Sequence, residues 1–158
     1  MTDRTEADIM NHWKRQAGLP FVTVRCAAFN QENYIEQALD SFLSQKTDFP
    51  FLIVVHDDAS SDRTADRIRQ YEKKYPHIVK ALYETENQHS GKSVLDVMEP
   101  YFEGKYVAVC EGDDYWCDDQ KLQRQFDFME QHPECSMCVH NSVYHCVDGQ
   151  DADRNFNE

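Results

Sequence analysis

The stretch that decides the fold runs from Phe21 to Gln45, FVTVRCAAFNQENYIEQALDSFLSQ. Its first seven residues, FVTVRCA (21–27), follow Pro20 and are rich in β-branched and aromatic side chains, as a strand requires. The period then changes. Tyr34, Ile35, Ala38, Leu39, Phe42 and Leu43 recur at three to four residue spacing, which lays one apolar stripe along a helix from about Glu32 to Gln45, with Asn30 placed to start it. FLIVV (51–55), after Pro50, is a short continuous apolar run, as expected of a strand buried on both faces of a parallel sheet.

The alternation continues along the chain. Ser60, Ser61 and Asp62 offer caps for a second helix whose inner face is Ala65, Ile68 and Tyr71 and which Pro76 ends. HIVKALY (77–83) reads as a third strand, followed by the loop ETENQHSGKS, where Gly91 suggests a special backbone angle. Val94, Leu95 and Met98 make a short helix limited by Pro100, and YVAVC (106–110) is a fourth strand entered through Gly104. Leu122, Phe126 and Met129 predict a further helix, stopped by Pro133. Residues 135–147, with Met137, Val139 and Val143 on one side, predict a fifth strand closed by the turn pair Asp148 and Gly149. Such alternation predicts an α/β sheet, mostly parallel, with right-handed crossovers and helices on both faces.

Ligands of such sheets sit outside the carboxyl ends of the strands, near the point where strand order reverses. Three unusual clusters fall on that edge: Ala27, Ala28, Phe29 and Asn30; His56, Asp57 and Asp58; and Glu111, Gly112, Asp113 and Asp114. A helix cap needs one Asp, Ser or Asn, and the segment after Asp58 already supplies several. Two adjacent carboxylates at the strand end are therefore surplus, and one of them can accept from a base N–H or from ribose hydroxyls. In EGDDYW (111–116), Glu111, Asp113 and Asp114 repel one another unless a cation or protons compensate them. Hard oxygen donors suit Mg²⁺ or Mn²⁺, held by one or two carboxylates together with substrate phosphates. Gly112 is expected to let a ligand approach the backbone, and Trp116 to pack rather than bind.

Composition narrows the choice. The 158 residues, 41% hydrophobic, suffice for one globular core, and 16 basic against 29 acidic side chains give a net charge of -13. Long-range attraction of nucleic acid or an anionic membrane is excluded on that balance, so an anionic ligand needs a local device such as a metal. No apolar run approaches about eighteen residues, and the start MTDRTEADIMNHWKRQ is charged, so neither a membrane span nor a secretion signal is expected. The six cysteines, Cys26, Cys110, Cys117, Cys135, Cys138 and Cys146, read as reduced thiols of a cytoplasmic protein. Cys135 and Cys138 form a CxxC near His140, His145 and Cys146, but without a regular second pair, so ordinary thiols are expected there and not a zinc knuckle. No GxGxxG follows the first strand and no GxxxxGK[ST], SxxK, GxSxG or HExxH occurs. What remains is a diphosphate held by a carboxylate-bound metal.

In these motifs the sequence resembles the nucleotide-binding half of a family 2 glycosyltransferase of the GT-A fold. The matching pieces are VTVRCAAFNQENYIEQALDSFLSQ, FLIVVHDDASSDRT for the family's Asp-Asp-Gly-Ser segment, and GKYVAVCEGDDYW for its metal-binding DxD region. The resemblance covers residues 20–147, between an N-terminal extension (1–19) and a polar tail (148–158), and is nearest to bacterial enzymes of surface-polysaccharide synthesis. It implies a Rossmann-like sheet, here truncated, in which Ala27, Ala28, Phe29, Asn30 and Glu32 lie beside the nucleoside and Asp58, flanked by Asp57, bonds the base. Glu111 and Gly112 would stand at the ribose or metal side, and Asp113 with Asp114 would hold Mn²⁺ or Mg²⁺.

The sequence departs from the family pattern at two of these positions: Glu111 replaces the first Asp of DxD, and Ala59 replaces the usual Gly. The resemblance further implies inverting transfer of a hexosyl group from a nucleotide-diphosphate sugar, a UDP-sugar in the first place, to a saccharide or lipid-linked saccharide. The setting it implies is the cytoplasm at the inner face of the membrane, with peripheral association through regions outside this sequence. The family's general base comes from a segment well downstream of the DxD, and no residue here is assigned to it; Asp151, Asp153 and Glu158 sit in the polar tail. The competing expectations are a nucleotide-binding remnant or interaction module without turnover, and a nucleotidyltransferase, whose basic glycine-rich loop is absent.

Overall fold

A computed structural model of the chain describes residues 3–15, 20–88, 93–144 and 154–155. Residues 1–126 and 127–158 form two separate units. The first is built on a four-stranded, wholly parallel sheet of β1 (Val22–Ala28), β2 (Phe51–Asp57), β3 (Val79–Tyr83) and β4 (Tyr106–Val109), in the order β3-β2-β1-β4. The chain steps outward from β1 to β3 and then returns to place β4 on the free side of β1. The carboxyl ends of β1 and β4 therefore flank the point where strand order reverses.

Helices α2 (Ile35–Leu43) and α3 (Thr64–Lys74) pack against each other and cover one face of the sheet. On that face Val22, Val24, Cys26 and Ala28 of β1 join Ile35, Ala38, Leu39 and Phe42 of α2 in one buried cluster. The short helix α4 (Val94–Met98) and a 3-10 turn over Glu99–Tyr101 lie on the other face, beside β2. The expected α/β sandwich with helices on both faces is thus what forms. β2 is buried almost throughout, which accounts for its unbroken apolar run.

The boundaries shift where hydrogen bonding overrules apolar spacing. Glu32, Asn33 and Tyr34 form a turn before α2, and β3 starts at Val79 because Ile78 and Val79 donate their N–H groups to the Tyr75 carbonyl. Ahead of the sheet, α1 (Glu6–Met10) carries a capping box in which Thr5 and Asp8 satisfy each other's backbone N–H groups. Arg4 then donates to the carbonyls of Leu43, Ser44 and Gln45, so the segment before β1 closes the carboxyl end of α2.

Helix α5 (Lys121–Gln131) begins in the first unit, where Phe126 stacks on Phe49 at 4.2 Å between ring centroids. In the second unit the fifth strand expected over 135–147 shrinks to β5 (Val143–Tyr144), paired antiparallel with β6 (Arg154–Asn155). Residues 135–142 form no strand, and their alternating Met137 and Val139 are about three-quarters exposed. Alternation there met no sheet face to bury it. Cys135 and Cys138 are free thiols, while His145, Cys146, Asp148 and Gly149 lie outside the described residues, as does Gly91.

Entry into β4 depends on a close backbone approach. Gly104 donates to Thr23 Oγ1 at 3.0 Å, and a β-carbon at Gly104 would lie 2.6 Å from the Thr23 nitrogen. Gly104→Ala is therefore expected to destabilise the protein by about 1 to 3 kcal/mol through backbone displacement, read as a lower urea midpoint; an unchanged midpoint would show that β4 enters with room to spare.

Candidate nucleotide and metal site

The site is assembled by the end of β1. The Ala27 carbonyl accepts the Gly112 N–H at 2.9 Å on the β4 side, and the Ala28 carbonyl accepts the Asp58 N–H at 3.0 Å on the β2 side. One strand end thus holds both acidic segments in register. Beyond Ala28 the chain turns through Phe29, about half exposed, and Asn30, whose φ of 52° is in the left-handed region that Asn tolerates.

The loop after β1 and the loop after β2 are stitched together by reciprocal hydrogen bonds. Asn30 N–H donates to Ser60 Oγ, while Ser61 N–H donates to Asn30 Oδ1 at 2.8 Å. Gln31 N–H donates to Thr64 Oγ1, Glu32 N–H donates to Asp62, and Arg63 N–H and Nε donate to Glu32 Oε2. Asn30 and the Ser60–Asp62 segment were expected as caps of their own helices; they bind mainly across to one another, and Asp62 alone also receives the Thr64 N–H. Glu32, placed beside the nucleoside by the resemblance, is spent on Arg63, and the backbone and side-chain bonds from that residue hold its carboxyl below the usual range. Burial pushes the Asp62 carboxyl up, but the bonds from Thr64 and Glu32 outweigh it and leave it lowered.

The two carboxylates at the end of β2 differ. Both residues are buried, but Asp57 Oδ2 accepts the Ser60 N–H at 3.3 Å while its Oδ1 has no partner among the described residues. Asp58 accepts the Gln88 N–H on Oδ1 at 2.7 Å, and its carbonyl accepts from the Asn87 side chain. Ala59, between Asp58 and Ser60, has a φ of 57°. A Gly, which the family pattern would place at this position, adopts that left-handed backbone without the β-carbon clash that Ala meets.

The turn after β4 is held at both ends. Cys110 N–H donates to the Arg25 carbonyl and Gly112 N–H to Ala27, so the ladder with β1 runs past Val109. At the far end Trp116 packs on Phe42 at 4.7 Å and donates its N–H to Ser41 Oγ, as its size suggested. Buried Gln45 then bridges the Asp118 carbonyl and the Leu122 N–H. Gly112 also has a packing reason. A β-carbon there would meet Gln31 Oε1 at 2.4 Å and Ile35 Cδ1 at 3.0 Å, so the missing side chain makes room for the protein's own packing.

Glu111 is paired. Its Oε1 lies 3.0 Å from Nη1 of Arg25 on β1. Arg25 was not singled out from the sequence, although a charged residue in the middle of an otherwise apolar strand was the signal. Asp113 and Asp114 are exposed, and although the Asp114 N–H donates to the Glu111 carbonyl, neither carboxylate makes a hydrogen bond or ion pair among the described residues. Among those residues no three His, Cys, Asp or Glu side chains gather to hold a metal by themselves. The donor chemistry nonetheless fits a hard divalent cation, for which one or two free carboxylates suffice when substrate phosphates and water complete the shell. Two thiols close by take no part: burial pushes Cys26 well up and Cys110 to about 12, the latter helped by Asp114, so both stay protonated at neutral pH.

Comparison with known proteins gives the family and the fold. The Glycosyl transferase family 2 profile matches residues 23–155, and the chain belongs to that family. Rv1520 of Mycobacterium tuberculosis, an uncharacterized protein, is 40% identical over 113 residues, covering 72% of this chain and 32% of its own. A putative teichuronic acid biosynthesis glycosyltransferase of Bacillus subtilis, TuaG, is 35% identical over 120 residues, 76% of this chain and 44% of its own. Among solved structures, S. aureus TarS 1-349 in complex with UDP superposes with a TM-score of 0.62 at 27% identity, covering 83% of this chain and 37% of that one. The mannosyltransferase PcManGT from Pyrobaculum calidifontis, solved with GDP-Man and Mn²⁺, shares the fold with a TM-score of 0.61 at 24% identity over 78% of this chain and 38% of its own. The sheet is thus of the GT-A kind, and the chain spans 32 to 44% of the length of these relatives.

The strained position offers a test of the loop geometry. Ala59→Gly is expected to stabilise the protein by about 0.5 to 1 kcal/mol, since relief of the left-handed backbone exceeds the entropy Gly adds to the unfolded chain. Urea unfolding without ligand reads the shift; a lower midpoint would mean that Ala59 does not hold that conformation.

Proposed function

We propose that this chain is the donor-binding part of an inverting glycosyltransferase that takes a UDP-sugar with Mn²⁺ or Mg²⁺. The observation that carries the reading is that the end of β1 holds two acidic segments at the strand-order reversal, one on each side, with Asp113 and Asp114 uncommitted. TarS, solved with UDP and with UDP-GlcNAc, supports UDP as the nucleotide. Teichuronic acid biosynthesis, in the name of TuaG, supports hexosyl transfer to a saccharide or lipid-linked saccharide of the cell surface. The reaction would then take place in the cytoplasm at the inner face of the membrane.

Each residue has a task in that reading. Asp58, with Oδ1 on Gln88, offers its second oxygen to a base N–H, and Phe29 and Asn30 wall the nucleoside. Asp113 and Asp114 would hold the cation. Bound there, it would neutralise charge on the diphosphate as that group leaves the sugar. The pairing of half-exposed Glu111 with Arg25 leaves the turn with less repulsion toward an anionic donor than three bare carboxylates would exert.

Titration calorimetry with UDP tests the proposal. Heat is expected with Mn²⁺ or Mg²⁺ and at least about tenfold weaker binding in EDTA or in Asp113→Ala. Asp58→Asn is expected to lose about 1 to 3 kcal/mol of UDP affinity, one charged hydrogen bond to the base. Equal affinity with and without metal, and in folded Asp113→Ala, would overturn the metal role; Asp58→Asn with intact affinity would leave Asp58 a loop residue only.

A further inference from the structure

Arg25 is the single charged residue of β1, the strand at the reversal point of a parallel sheet. A charge in such a place is costly unless paired. Alternation along β4 puts Val107, Val109 and Glu111 on the α4 face, with Ala108, Cys110 and Gly112 toward α2. Arg25 lines an open cleft on that α4 face with Leu95, Glu99, Phe102, Val107 and Val109. Its Nη1 meets Glu111, and its buried Nε has no partner among the described residues. The guanidinium is thus oriented by Glu111 and orients it in turn. The backbone bond from Cys110 to the Arg25 carbonyl holds the segment whatever side chain stands at 25.

We propose that Arg25 is a positioning residue for the acidic turn: it draws Glu111 to the α4 face and cancels its charge, leaving Asp113 and Asp114 to meet the cation. This rests on the reading of EGDDYW as the metal-diphosphate site. The pair sets the balance between the site's two ligands, which carry opposite charge. A bare Glu111 carboxylate attracts a cation and repels a diphosphate, so removing Arg25 moves the two affinities in opposite directions. Loss of a structural strut would instead weaken both together.

The experiment measures Mn²⁺ alone by the loss of its free-ion electron paramagnetic resonance signal, and UDP in EDTA by calorimetry, on the full chain. For Arg25→Gln, Mn²⁺ is expected to bind about 3 to 10 times tighter and UDP about 3 to 10 times weaker, the effect of one unpaired charge at a half-exposed site. Glu111→Gln is expected to reverse both signs. The double variant should return within about twofold of the parent, and Arg25→Lys should stay near it. Shifts in the same direction, or no coupling between 25 and 111, would overturn the role. If Arg25→Gln does not fold, Glu111→Gln, a change at a half-exposed side chain, decides by its two signs. If the parent binds UDP in no buffer, the donor-site reading fails on its own, while the Mn²⁺ cycle still decides whether Arg25 governs Glu111.

Discussion

The two carbonyls at the end of β1 are the constraint on which the site depends. In a parallel sheet each strand offers hydrogen-bonding groups to both edges, and at Ala27 and Ala28 these fall on Gly112 and Asp58. Strand order makes this possible, because β1 alone has β2 on one side and β4 on the other. A change of register by one residue would move Glu111 to the α2 face and Gly112 to the α4 face. Glu111 would then meet Gln31 and Ile35, which now fill the space at Gly112. The packing of that glycine therefore locks the register that the acidic turn requires.

Much of this was legible in the residues. The change of period after Ala28, the unbroken FLIVV run and the proline punctuation gave the order of elements, because buried parallel strands and amphipathic helices leave strong periodic marks. The acidic clusters were also legible, since carboxylates at the ends of apolar strands have few bland explanations. Arg25 was harder. Its meaning lies in a partner 86 residues away, and no local spacing announces a pair across two strands. The Glu32 partner was equally hidden: its carboxylate reaches across to Arg63 on the neighbouring loop, a pairing that no local spacing announces.

The segment 135–142 shows the opposite failure. Alternating apolar residues predict a strand only where a neighbour offers a ladder and a core offers a face. Met137 and Val139 have neither among the described residues of their unit, where the pairing that forms is two residues long. The left-handed angles at Asn30 and Ala59 were legible only in part. Asn invites such a backbone, but Ala, whose β-carbon disfavours it, gives no sign of it.

On the proposed reading, the different partners of Asp57 and Asp58 give two adjacent carboxylates two tasks. Successive residues at a strand end point to opposite sides, so a single acid cannot both secure the loop and face a ligand. Asp57 points inward and receives the Ser60 N–H, which closes the turn whose strained residue is Ala59. Asp58 is aimed the other way, and the Gln88 N–H fixes one of its oxygens. A side chain fixed at one oxygen has lost most of its rotamer freedom before any ligand arrives. A base that bonds to the second oxygen therefore meets an acceptor whose ordering cost belongs to folding and not to binding. The same division holds across β1, where Glu111 is secured by Arg25 while Asp113 and Asp114 stay exposed. In the proposed donor site, one carboxylate of each cluster would thus shape the loop and its neighbours would be left to the ligand.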